Sequence, residues 1–264
     1  MVTVLGIPFD ANSSFLKGPA LAPDRIRLME KEGSANLFSE LGREIKNGVA
    51  YTDKGDLSFE TTNPEKAFSI IKNAIASELT SSNKILSFGG DHSVSYPIID
   101  AFSEKYKNLN VLHIDAHSDL YDNFDNNLYS HASPFARLLE KRKLDSLTQV
   151  GIRCATAHLR EQAKKYNARV VEMKDFNFDF IQHLKAPLYI SLDIDSLDPA
   201  FAPGVSHHEP GGFTTRQLIQ IIHQIPVSIV GADIVEYNPI RDIHNMTAMV
   251  CYKLMKELIH KMNQ

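Results

Sequence analysis

The 264-residue sequence contains no apolar run approaching the roughly 18 residues that a membrane-spanning helix requires, so it predicts no membrane span. Its opening, "MVTVLGIPFD", has neither the charged flank nor the long apolar stretch of a secretory signal. Only two cysteines occur, Cys154 and Cys251, and with no export signal they are expected as reduced thiols of a cytoplasmic protein. An excess of one charge is missing too: 28 Lys and Arg against 32 Asp and Glu leave a net charge of -4 and a pI near 6.3. That balance gives no electrostatic footprint for nucleic acid or an anionic membrane. Neither G-x-G-x-x-G nor a P-loop is present, which removes a Rossmann-type nucleotide enzyme. No linker, low-complexity tract or internal repeat interrupts the chain, and 43% hydrophobic residues suffice for a sizeable core. One domain spanning 1–264 is expected.

What is present is an alternation of short β-branched runs with longer stretches of helical periodicity. Strands are predicted over 2–7, 84–90, 110–116, 147–153, 168–173, 187–195 and 227–236, and helices over 64–80, 94–107, 133–143, 158–166, 214–224 and 245–262. In the last helix, Met246, Met249, Val250, Leu254, Leu258 and Met262 form a candidate core-facing stripe. Strands separated by helices imply parallel pairing covered on both faces. The expected fold class is therefore α/β, a three-layer αβα sandwich with a central, mainly parallel sheet.

In such sheets chemistry gathers at the carboxyl ends of the strands. Polar clusters fall at four of those ends: "ILSF" runs into "GGDHS", "VLHI" into "DAHSD", "LYISL" into "DIDSLD", and "IVGADIV" into "EYNP". Period-2 alternation puts Asp115, His117 and Asp119 on one face, and Asp193 and Asp195 on one face. Together with His92 they form a set of four carboxylates and two imidazoles. Buried like charges repel unless a cation compensates, and two divalent ions would cancel four carboxylates. The donor types suit Mn²⁺ first, with Zn²⁺, Fe²⁺, Co²⁺ and Ni²⁺ also compatible, and the lack of cysteine in the set argues against structural zinc. Two ions about 3.5–4 Å apart can share a water and bring its pKa toward neutrality. Each cluster has a plainer interpretation alone: a solvated D-x-D loop, or a glycine turn with Asp91 or Ser93 as a helix cap. The coincidence of all three after apolar strands favours metal.

The motifs "GGDHS", "DAHSDLYD" and "SLDIDSLDPAFAPG" resemble the signatures of the ureohydrolases, the arginases, agmatinases and their relatives. "GIPFDANSSFLKGPALAPDRIR" resembles the agmatinase-like amino terminus, while "GVSHHEPGGFTTRQ" and "GADIVEYNPIRDIHNMTAMVCYKL" are similar to plant-type arginases. The resemblance implies an arginase-like fold and a binuclear manganese hydrolase with two Mn²⁺ per subunit. A metal-bridging hydroxide would cleave a guanidino group to urea and an amine. It further implies His92, Asp115, His117, Asp119, Asp193 and Asp195 as metal ligands, with Asp115 and Asp193 bridging. His131 matches the family's proton-shuttling histidine and Glu236 the carboxylate that pairs with the guanidinium. Asp119 stands with these two as a catalytic candidate. Relatives form trimers or hexamers, so a homo-oligomer is expected.

Substrate choice rests on departures from the family pattern. "GIRCAT" has Cys154 and Thr156 where animal-type arginases carry an acid for the substrate α-amino group, and the loop after Asp119 is of the agmatinase type. That favours agmatine slightly over L-arginine held as in plant-type arginases. The same motifs would also suit a formiminoglutamase, a guanidinobutyrase or a non-catalytic metal-binding relative. "GVSHHEPGG" places His207 and His208 near the expected mouth, with His207 a candidate substrate contact, and Cys154 a candidate wall residue.

Overall fold

A computed structural model describes residues 1–33, 35–80 and 84–264. Among the described residues eight strands form one sheet: β1 (Val2–Gly6), β2 (Tyr51–Asp56), β3 (Lys84–Phe88), β4 (Asn110–Ile114), β5 (Ser146–Ile152), β6 (Arg169–Glu172), β7 (Leu188–Asp193) and β8 (Ile229–Val235). Their order is β2-β1-β3-β8-β7-β4-β5-β6, and every pairing is parallel. Seven α-helices among these residues flank it: α1 (Ala22–Lys31), α2 (Pro64–Thr80), α3 (Ser95–Lys105), α4 (Pro134–Glu140), α5 (Ala157–Lys165), α6 (Thr215–Gln224) and α7 (Met246–Met262).

Strand pleating explains the layers. Leu86, Phe88, Leu112, Ile114, Ile190 and Leu192 point to one face and pack with Ile26 of α1, Leu218 of α6 and Leu258 of α7. The intervening Ile85, Val111 and Tyr189 point to the other face, where Ile71 of α2, Phe102 of α3, Leu138 of α4 and Leu159 of α5 cover them. Continuous apolar strands buried on both sides are what a parallel sheet demands. The expected αβα sandwich is the observed one.

Two elements went unanticipated. The edge strand β2 reads "YTDKGD", with little β-branched or apolar character, and it forms because β1 offers it a parallel partner. Helix α1 lies in a proline-containing stretch, yet Pro23 sits in its first turn, where the missing N–H costs nothing, and Ala22, Ile26 and Met29 are buried. In α7 the predicted stripe holds from Met249 onward, with Met249 and Val250 half-buried against the core, but Met246 is 53% exposed, and Cys251, Tyr252, Met255 and Ile259 are buried as well. That helix is covered on more than one side.

The four strands that run into polar clusters, β3, β8, β7 and β4, are consecutive neighbours at the centre of the sheet. Their carboxyl ends therefore deliver all the candidate side chains to one place.

Candidate metal centre and active site

Beyond β3 the chain turns through Gly89 and Gly90. A Cβ on Gly90 would lie 1.9 Å from the carbonyl oxygen of Phe9, so only glycine fits there. Asp91 then caps the short turn His92–Val94, accepting from the Ser93 backbone N–H at 3.1 Å. The capping role is thus real for Asp91, and it sends the His92 ring inward, fully buried.

His92 Nδ1 lies 3.2, 3.0 and 3.1 Å from the Oδ2 atoms of Asp115, Asp119 and Asp193. None of the three is aligned to receive its hydrogen bond, so a buried ring nitrogen stands orphaned among three carboxylates. A second group adjoins: His117 Nδ1 is 3.0 Å from Asp195 Oδ2 and 3.5 Å from Asp115 Oδ1. Asp115 thereby turns one oxygen to each half of the cluster. Donor atoms in the sets His92–Asp115–Asp119 and Asp115–His117–Asp195 lie within 4.8 Å of one another, as cation ligands must. The residues present therefore fit a pair of divalent cations, and all six sequence-predicted ligands meet here.

The electrostatics agree. Burial pushes the Asp193 carboxyl well above its usual range, and the charges of Asp195 and Asp115 push it further. Burial likewise raises Asp195, against the opposing pull of His117. Burial would raise Asp115 too, but His113, His117 and His92 hold it well below the usual value. Burial lowers the His92 imidazole, yet the contacts with Asp115, Asp119 and Asp193 outweigh it and leave its pKa well above normal. A cation among these groups relieves both the repulsion and the desolvation.

Beside the cluster lies a pocket of about 280 Å³, walled by Ser14, His117, Asp119, Tyr121, Phe124, His131, Cys154, Thr156, Asp193, Asp195, His207 and Glu236 among others. His131 is no surface loop histidine. It is only 8% exposed, with Nδ1 2.7 Å from Glu236 Oε1 and Nε2 2.8 Å from Ser14 Oγ. Burial lowers its pKa, but the Glu236 charge and hydrogen bond prevail and push it up to about 9. Glu236 follows β8 with φ +63°, a left-handed conformation rarely adopted by a long side chain; its backbone N–H is held by Gly90 O at 2.9 Å. Its Oε1 also accepts the His92 backbone N–H at 2.9 Å. Asp119, at φ +48°, is the other site residue in that conformation.

The remaining candidates divide. His207 reaches the pocket, its ring 5.6 Å from that of His131 and 5.8 Å from that of His117. Burial lowers its pKa and the His131 charge lowers it further, so it stays neutral. His208 turns away, hydrogen-bonded through Nε2 to Pro203 O at 2.8 Å and exposed. Cys154 is a wall residue, and Thr156 caps α5 by accepting the Leu159 N–H at 3.2 Å.

Sequence reasoning passed over the residues behind the cluster. His113 Nε2 is 2.7 Å from Asp115 Oδ2, and Gln149 Nε2 lies 2.9 Å from His113 Nδ1. Ser191 Oγ lies 3.0 Å from His92 Nε2. Arg153 grips the backbone carbonyls of Asp195 at 2.7 Å and Glu209 at 2.6 Å, fixing the loops that carry Asp195 and His207. The signal was available for two of them: His113 and Ser191 each sit two residues before a metal-site aspartate, on the same strand face.

Comparison with known proteins identifies the family. The model of the arginase family matches residues 1–260. The chain belongs to the arginase family. Arginase 1, mitochondrial, from Arabidopsis thaliana is 43% identical over 277 residues, covering 99% of this chain and 81% of the relative. An agmatinase from Bacillus cereus is 32% identical over 269 residues, covering 98% and 90%. The structure of arginase from Medicago truncatula matches with a TM-score of 0.93 at 41% identity, covering 99% of this chain and 87% of that one. Members of the arginase family are binuclear metal hydrolases acting on small guanidino substrates, and this chain is an arginase-family hydrolase.

Two expectations need correction. The slight preference for agmatinase gives way to the plant-type arginase reading, which the identities fit better. It rested partly on "GIRCAT", but Thr156 is occupied with capping a helix, so that segment does not report on an amino-acid site. The cytoplasmic placement is overturned by the Arabidopsis relative, a mitochondrial enzyme, which points to an organelle instead. Two unpaired thiols and an unremarkable opening segment are shared by cytosolic and organelle-matrix proteins, so they never discriminated.

Proposed function

We propose that the protein hydrolyses L-arginine to urea and ornithine, as a plant-type arginase with two Mn²⁺ held by His92, Asp115, His117, Asp119, Asp193 and Asp195, in an organelle. The observation that carries the reading is the Asp115 carboxylate, which turns Oδ2 toward the His92 group and Oδ1 toward the His117 group. Imidazole and carboxylate donors suit Mn²⁺. When bound, such an ion pair supplies a hydroxide nucleophile at neutral pH and stabilises developing negative charge.

The chain's own groups supply the rest. Glu236, with Oε1 already taken by His131 and the His92 N–H, keeps Oε2 for the planar N–H fork of the substrate. Fixing the guanidinium there orients its carbon toward the metal cluster. His131, cationic below about pH 9, holds a proton within reach of the pocket and gives it to the leaving amine. Neutral His207 narrows the entrance without repelling a cationic substrate. The wall residues include no Lys or Arg among those described, so an α-carboxylate would meet a hydroxyl such as that of Ser14. A homo-oligomer belongs to the same proposal, and exposed Ile240, Ile243 and Met246 are apolar surface that self-association would cover.

The test is urea release from L-arginine and from agmatine, each with chelator-stripped and Mn²⁺-reloaded protein. Metal-dependent urea from arginine is expected. Urea from agmatine alone would replace the substrate assignment, and no urea from either would leave another guanidino or formimino compound as substrate.

A further inference from the structure

Asp233 has no place in the reaction just described, yet it is a fully buried carboxylate on β8. It lies opposite Ser191 in the parallel pairing of β7 with β8. Its Oδ1 accepts from Ser191 Oγ at 2.7 Å and its Oδ2 from Tyr189 OH at 2.8 Å. No Lys or Arg among the described residues contacts it. A carboxylate buried without a cation is costly, and such a group usually serves something at its far end. Here the far end is a metal-site ring: Ser191 Oγ is 3.0 Å from His92 Nε2.

With Asp233 ionised, the hydrogens in this chain run one way. Ser191 has a single hydroxyl proton. Its 2.7 Å contact with a carboxylate oxygen outcompetes the 3.4 Å contact with Ser95 Oγ. With its proton committed to Asp233, the Ser191 oxygen is an acceptor, so His92 Nε2 carries the hydrogen. In the neutral ring that a bound cation requires, the other nitrogen, Nδ1, is then the lone-pair atom, and it is the atom orphaned among Asp115, Asp119 and Asp193. Metal-bound histidines commonly give their second N–H to a carboxylate, which orients the ring and raises its basicity. In this fold a serine is interposed.

We propose that Asp233 is a positioning residue for the metal centre: through Ser191 it fixes His92 in the Nε2–H tautomer, with Nδ1 presented to one of the two divalent cations. The inference rests on the metal-centre reading above and adds to it a residue that touches neither metal nor substrate. Tyr189 completes the carboxylate's hydrogen bonding from the side away from the site.

The test uses the full chain, stripped with chelator and titrated with Mn²⁺ by calorimetry, as wild type, Ser191→Ala, Asp233→Asn and the double variant. Each single variant is expected to weaken one of the two ions by about 10–100-fold and to leave the other within about 2-fold. The double variant is expected to be no worse than the weaker single, because the two links act in series. Visible spectra of the Co²⁺-loaded forms should change in the same variants. Unchanged affinity in a folded Ser191→Ala protein would overturn the relay. So would equal weakening of both ions in step with a lower melting temperature of the metal-free protein, which marks a merely structural role. Losses that multiply in the double variant would overturn the series arrangement. A wild type that binds no divalent ion would overturn the metal-centre reading and the relay together. Ser191→Ala removes one hydroxyl only and keeps the test open if Asp233→Asn fails to fold.

Discussion

Two clusters of charge, each built on carboxylates and imidazole, stand in this molecule in opposite states of balance. Where α6 and α7 meet the 40s loop, Glu257 is fully buried. It accepts from Lys253 Nζ at 2.7 Å, lies 2.7 Å from His223 Nε2, and accepts the Glu40 backbone N–H at 3.0 Å. Glu40 in turn meets Arg216 Nη2 at 2.9 Å and Lys253 at 3.3 Å. Every acid there has a cation. At the carboxyl ends of β3, β4, β7 and β8, four carboxylates face one another across two imidazoles, and an aligned partner is missing for His92 Nδ1. A balanced cluster is complete within the chain. An unbalanced one is complete only with ligands, and that contrast separates structural charge from functional charge more surely than burial does.

The strongest way to break the comparison is to remove a carboxylate from the unbalanced side. Asp193→Asn should lower kcat/KM for arginine by about 10³-fold or more and forfeit at least one ion. The melting temperature of the metal-free protein should hold or rise, because burial and the charges of Asp195 and Asp115 already oppose ionisation of Asp193. Metal analysis and thermal melts with and without chelator read both effects. A metal-free variant much less stable than the metal-free wild type would place Asp193 with the structural charges after all. Next in size is His131→Asn, which spares the predicted ligands: kcat should fall by about 10²–10⁴-fold with two ions still bound. Loss of metal in that variant would move His131 from substrate chemistry to the metal set.

How much of this was legible in the sequence follows the same division. The unbalanced cluster is written in local patterns, since Asp115, His117 and Asp119 alternate within one strand exit, as do Asp193 and Asp195. Apolar runs before each motif marked the strand ends, and the fold class came with them. The balanced cluster leaves only the i,i+4 spacing of Lys253 and Glu257 as a local trace, because its other partners, at positions 40, 216 and 223, meet them only through packing. Asp233 was hidden differently. It is a polar residue inside an otherwise apolar strand with no site residue two positions away, whereas His113 and Ser191 sat in alternation with metal-site aspartates. The agmatinase preference failed because the lack of an acid in a short segment after β5 was taken to favour agmatine, whereas Thr156 there serves a helix end.

On the balanced side the effects should be on stability and not on rate. Glu257→Gln leaves His223 and Lys253 short of their buried acceptor and should cost about 1–3 kcal/mol in denaturant unfolding, with kcat/KM within about 2-fold of wild type. Burial raises the Glu257 carboxyl, but Lys253 and His223 outweigh it and hold its pKa below the usual value, so the wild-type acid is charged in the folded protein. A loss of activity larger than the loss of folded protein would mean that the two clusters communicate.

The smallest effect should come from the exposed member, and its pH dependence identifies its origin. The Arg216 hydrogen bonds hold the Glu40 carboxyl at about 2, from an ordinary value of 4.5, with Lys253 adding to the pull. A carboxylate with a depressed folded-state pKa contributes stability that is present above the unfolded value and disappears as pH falls through the folded one. The Glu40–Arg216 pair lies at the surface, where solvent screens it, so the contribution is small and not what the shift alone would suggest. Glu40→Gln should therefore be slightly less stable than wild type above pH 5 and indistinguishable from it near pH 2. Raising the salt concentration should erase the difference at neutral pH. A deficit that persists at pH 2 or in high salt would show that Glu40 acts by packing against α6 and not by charge, and the balance described above would then belong to Glu257, Lys253 and His223 alone.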